Sequence, residues 1–242
     1  MSDQSIVLIC IALAIFALFF VSLINHRQMR HKLIHQRLVK LRKKVAELEE
    51  LSVEVETLTG SRVITGILID HIIDLLDGML ELAPSSQSLE ITRENALARR
   101  DELHNSEFQV QLNRIRESDA QIARAQFALN EAGVIIRKRQ AAGRLELSQM
   151  NQLIEELAWA KMMAAVVSLV VQGHKSMGGT DVLRGFSFYK KATQCAMEAN
   201  STDERRHKLI KELAELANNK RKALSLDLMP EAQFNPKESS EA

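Results

Sequence analysis

Residues 6–24 are apolar at every position except Ser22. A helix rises about 1.5 Å per residue, so this run covers roughly 28 Å, the hydrocarbon thickness of a bilayer. The pattern predicts a membrane-spanning helix. A cleaved signal would carry a basic start and small residues at the end of the run. Here Asp3 and no Lys or Arg precede it, and Ala12 and Ala14 lie in its middle. A retained single span is therefore expected.

The rhythm then changes. Ile34, Leu38, Leu41, Val45, Leu48, Ser52 and Val55 alternate spacings of 4 and 3. That is the a/d seam of a heptad helix. Leu33, Leu51 and Leu58 widen the stripe. Residues 26–58 are predicted to form a coiled-coil stalk about 50 Å long. Its seam either pairs with a second copy, giving a homo-oligomer, or folds back onto the body of the chain. Gly60 is expected to end it.

Residues 63–82 are strongly apolar on one side, with Ile69, Ile72, Ile73, Leu76 and Leu80. Asp70, Asp74, Asp77 and Glu81 share the opposite side, which predicts an amphipathic helix with a solvated acidic face. Pro84 closes it. A polar helix is expected over 88–104 and a longer one over 107–142. In the latter, Ile115, Ile122, Leu129 and Ile136 repeat every seven residues, with Ser118, Ala125 and Ala132 between. Large residues on one row and small ones on the next allow a neighbouring helix to approach closely.

Ser148 is expected to cap a helix running to 172, apolar nearly all round. Its apolar part, 157–171, is short for a span and contains Lys161, so a buried core helix is expected rather than a second crossing. A helix opened by Thr180 and Asp181 follows. Ser201 through Glu204 reads as a capping box for a last helix bearing Leu209, Ile210, Leu213 and Leu216. From 225 the chain reads as a loose tail. The expected fold is all-α: a span in 1–24, a basic neck and stalk in 25–60, a helical region in 61–143, a helical unit in 144–224 and a disordered tail in 225–242. Three prolines in 242 residues agree with helix throughout.

Charge sets the orientation. Arg27, Arg30, Lys32, Arg37, Lys40, Arg42, Lys43 and Lys44 follow the apolar run with no acid among them. Such a cluster stays on the cytoplasmic side, so the N-terminus is expected outside and the body in the cytoplasm, at a bacterial inner membrane. The same cations lie where anionic headgroups would attract them. The remaining chain holds 24 of the 32 Lys and Arg but 30 of the 31 acids. An acidic body argues against nucleic-acid partners. Cys10 and Cys195 lie in different compartments of this scheme, which excludes a disulfide between them.

Gly173, Gly185, Tyr189 and Ala192, with Leu169 ahead of them, fall in a 34-residue stretch, 166–199, which resembles a single tetratricopeptide repeat. In that family the corresponding glycine, aromatic and small positions pack one helix of a hairpin on the other. Ser176 stands where the family places an aromatic, and the closing proline is absent. The resemblance implies a protein-binding surface, with the last helix as its cap.

No motif for catalysis emerges. QGHKSMGG is not a phosphate loop: ahead of it Ser168 replaces the first glycine, His174 intervenes before Lys175, and the stretch follows a helix rather than a strand. Glu204 with His207 has di-iron spacing, but the only mate is Asp101 with His104, with Asp in place of Glu, and two further Glu would be needed. His31 and His35 make only two ligands. Cys195 reads as a small packed residue. No cofactor or metal is expected. The function expected is a membrane-anchored scaffold for protein partners. A lipid-sensing or envelope-regulatory role for the neck and a helical-bundle enzyme are the alternatives.

Overall fold

The fold is that of a computed structural model, which describes residues 3–105, 111–179, 181–231 and 235; ahead of Lys32 it describes the side chains of Phe16, Gln28 and Met29 alone. The helices are α1 (Asp3–Thr59), α2 (Arg62–Leu82), α3 (Gln87–Asn105), α4 (Asp119–Ala141), α5 (Leu147–Met177), α6 (Val182–Glu198) and α7 (Arg205–Ala217). The described residues contain no strand. The all-helical class is therefore right. Among the described residues no helix is long and apolar enough to cross a membrane. The expected span at 6–24 lies, Phe16 apart, outside the described side chains.

Gly60 turns α1 back onto α2. Its φ of +66° belongs to the left-handed region that glycine enters without cost, and its N–H donates to the Glu56 carbonyl at 2.8 Å. The two helices then run antiparallel. Val45, Leu48, Val55 and Leu58 on α1 meet Ile64, Leu68, Ile72 and Leu76 on α2 in one buried cluster. Leu129, Ala132 and Ile136 of α4 and Leu153 and Leu157 of α5 complete it. Within α4, Ile122, Leu129 and Ile136 of the expected large row and Ala125 and Ala132 of the small one are buried, because each alanine gives room to a neighbour's bulk, whereas Ile115 and Ser118 precede the helix and Ser118 is exposed.

A second cluster lies at the other end of α5. Trp159, Met163, Val167 and Val170 pack on Tyr189 and Ala192 of α6 and Leu209 and Leu213 of α7. A helix apolar all round suits this place, since α5 passes through both clusters and has partners on every side. Burying one such side chain is worth about 1.5–3 kcal/mol. The stretch weighed as a second membrane crossing is thus protein interior.

Several sequence expectations need correction. The helix expected from 107 begins only at Asp119, where the Ser118 hydroxyl accepts from the Gln121 N–H. Residues 111–118 are irregular; 107–110 lie outside the described residues. The reason is a competing set of backbone partners: Asn113 N–H donates to the Thr57 carbonyl, and the Ser168 hydroxyl serves both the Arg114 carbonyl and the Arg116 N–H. Ile115 packs on the second cluster from this strap. Glu146, with Gln149, forms the box that starts α5, displacing Ser148 from that role. Helix α5 runs on to Met177, so Gly173 lies inside it. The Ser201 hydroxyl accepts from the Asp203 N–H in the turn before α7, the Asp203 carboxylate accepts from the Arg205 N–H at its start, and Glu204 makes no side-chain cap.

Of the expected tail, residues 225–231 and Asn235 are described, and they pack rather than trailing free; the rest of it lies outside the described residues. Leu224, Leu228 and Met229 enter the second cluster, and Glu231 and Asn235 are buried. The Asn235 amide both donates to the Leu224 carbonyl and accepts from its N–H.

Candidate functional site

The helical hairpin of α5 and α6 collects the residues of the expected repeat. Leu169, Gly173, Gly185, Tyr189 and Ala192 are all buried. A Cβ added at Gly173 would stand 2.7 Å from Tyr189 Cδ1. One added at Gly185 would stand 2.7 Å from the Met177 sulfur and 3.3 Å from the Gly173 carbonyl oxygen. Each helix thus offers a glycine where the other arrives. The Tyr189 ring fills the gap that Gly173 leaves, and Phe186 meets it edge-on, 6.3 Å between centroids.

The Tyr189 hydroxyl and His174 Nδ1 are 2.7 Å apart. Burial pushes the histidine down to about 4 and the phenol up to about 12. Both are therefore neutral near pH 7. Their hydrogen bond joins α5 to α6, and the tautomer of His174 sets which of the two donates. The pair orients two helices, but the low basicity of His174 and the high pKa of Tyr189 give neither a proton to exchange at neutral pH.

The neck is partly described. The side chains of Arg27 and Arg30 lie outside the described residues; Lys32, Arg37, Lys40, Arg42, Lys43 and Lys44 are exposed. Lys43 pairs with Glu47, one turn along, at 3.6 Å. The seam fares differently along its length. Ile34 is half-buried, Leu38 and Leu41 pack against the first cluster, and Val45, Leu48 and Val55 are inside it. From Leu38 on, the chain's own body fills the seam.

The acidic line on α2 is not the bare solvated face its spacing suggests. Asp70 pairs with Arg100 and Arg139, Asp74 with Arg139 and Arg144, and Asp77 with Arg93. Glu81 alone of the four is exposed at the rim. Further pairs join Glu56 to Arg99 and Glu54 to Arg116. Helix α3 buries only Leu89, and Arg93, Arg99 and Arg100 join it to its neighbours by ion pairs as well. Each exposed pair is worth about 0–1 kcal/mol. The arginines lie up to 70 residues from their acids, a separation that no local pattern reveals.

Glu204, His207, Asp101, His104 and His35 are exposed, and His31 lies outside the described side chains. The described residues contain no group of three metal-ligating side chains. Cys195 is half-buried, and burial pushes its thiol up, away from the reactive thiolate. No family model, no curated protein and no solved structure matches the chain.

Proposed function

We propose that this protein is a membrane-anchored helical scaffold. Residues 6–24 cross the bilayer, the basic neck holds the cytoplasmic side, and the packed body displays surfaces to protein partners. The observation that supports this is the unbroken course of α1 from Asp3 to Thr59. The apolar run, the neck and the buried seam are one helix, so the body cannot swing on a flexible tether. At about 1.5 Å per residue, Val45 stands roughly 30 Å beyond the end of the apolar run. The α5–α6 hairpin, with α7 over it, is the repeat-like unit of that body.

The test is topology. A reporter active only outside the cytoplasm, fused at each end in turn, is expected to work at the N-terminus and stay silent after Ala242. The protein should remain in the membrane pellet through alkaline carbonate. The opposite reporter pattern, or release by carbonate, would remove the anchor and with it the placement of the partners.

A further inference from the structure

Helix α4 carries two apolar stripes. One, with Ile122, Leu129 and Ile136, lies in the core. The other, with Phe127 and Val134, faces out and is 63% and 37% exposed. Beside it the joint of α4 and α5 opens into a cavity of about 210 Å³. Gly133 and Ala158 make it deep, and Leu129, Ile154 and Leu157 line it. A Cβ at Gly133 would already come within 3.5 Å of both Ile154 Cδ1 and the Arg137 guanidinium, so a larger residue there would fill the groove.

The rim is cationic. Lys161 Nζ donates to the neutral Asn130 amide across the mouth at 3.1 Å. Elsewhere in the body arginines reach carboxylates, as Arg93, Arg99, Arg100, Arg116 and Arg139 do. Arg124 and Arg137 differ: among the described residues neither side chain has a hydrogen bond or an ion pair, and both are exposed. They flank Phe127 and Val134 along α4, and Glu131, half-buried, is the acid between them. From Arg124 to Arg137 the helix runs about 20 Å, some three to four turns of a partner helix.

We propose that this face docks an acidic amphipathic helix of a partner protein. Its apolar residues fill the groove over Gly133 and Ala158 and cover Phe127. Its carboxylates meet Arg124, Arg137 and Lys161, drawing Lys161 from Asn130. Charge complementarity selects the partner, since the groove supplies cations that the chain leaves unmatched, and the apolar floor distinguishes a helix from a simple polyanion. The proposal rests on the scaffold reading only in taking the partner to be a protein.

The test uses the full chain in mild detergent and a synthetic helix of about three heptads with Leu at a and d and Glu at e and g. A matched peptide with Lys for Glu and a polyglutamate without leucines are the controls. The acidic helix is expected to bind about tenfold or more tighter than either control. Arg124→Glu with Arg137→Glu should reverse the order of the two helices. Phe127→Ser should weaken the acidic one about fivefold or more, with the melting temperature unchanged because the ring is exposed. A photo-cross-linker at Asn130 should label the bound helix. Equal binding of all three probes, binding indifferent to the arginine pair, labelling absent at Asn130, or self-association of the chain through this face would overturn the proposal. Loss of the anchor in the topology test with peptide binding intact would sink the membrane reading and leave the groove.

Discussion

Arg114 grips Glu231 in a fork: Nε donates to Oε1 at 2.8 Å and Nη2 to Oε2 at 2.9 Å, and both side chains are buried. The same Nη2 also donates to the Leu228 carbonyl. Residues 117 apart in sequence thereby fasten the C-terminal segment over the second cluster. Glu231→Ala leaves the guanidinium buried without its counter-charge, which is expected to cost about 3–5 kcal/mol. The melting temperature should fall by about 10 °C, and protease should cut sooner near Lys220 and Lys222. Replacing both partners, Arg114→Met with Glu231→Leu, should recover most of the loss. An unchanged melt in Glu231→Ala would mean the clasp is idle.

Leu41 packs against the chain's own core. A cysteine placed there is expected to give no dimer-sized band on oxidative cross-linking. Val45→Asp should instead destabilise the monomer by several kcal/mol, since the carboxylate enters a core with no partner for it. Efficient cross-linking at Leu41 in the folded protein would show that a second copy, not α2, occupies the seam.

Two glycines should respond in opposite directions to the same change. Gly173→Ala drives a methyl into the Tyr189 ring and is expected to cost about 1–3 kcal/mol. Gly66→Ala, in mid-α2, meets nothing within 4 Å and should stabilise by about 0.5–1 kcal/mol. Thermal melting of the two variants decides it. Adding Tyr189→Leu to Gly173→Ala should restore part of the loss by vacating the space.

His174 makes stability pH-dependent. Its pKa falls from 6.5 unfolded to about 4 folded, so the unfolded chain binds the proton more readily. The contribution is complete above pH 6.5 and is lost as pH drops towards 4. It amounts to about 2 kcal/mol after discounting for partial exposure. Melts of wild type and His174→Phe, measured from pH 7 to 4.5, should show wild type losing more stability than the variant. Parallel curves would assign the acid response to other groups.

The sequence by itself determined the helices that carry their own periodicity. The stripe of α2, the large and small rows of α4 and the all-round apolar course of α5 each specify both a helix and its buried face, because a repeat of 3.5–3.6 residues puts those positions side by side. The resemblance to a tetratricopeptide repeat also singled out Gly173, Gly185, Tyr189 and Ala192, and all four are buried in the structure. Tertiary structure alone decided what those faces meet. A heptad seam is equally satisfied by a second copy or by α2, and only the turn at Gly60 gives it to α2. A line of aspartates looks solvated until arginines from α3, α4 and beyond arrive beside it. Residues 111–118 carry a helical rhythm, yet Thr57 and Ser168 offer their backbone better partners. The segment after 225 has too little apolar content to predict order, and it is held by Arg114, whose role depends on a glutamate 117 residues away. Local pattern encodes the shape of a surface; its partner is a long-range choice, made by which buried charges and cavities the rest of the chain leaves to be matched.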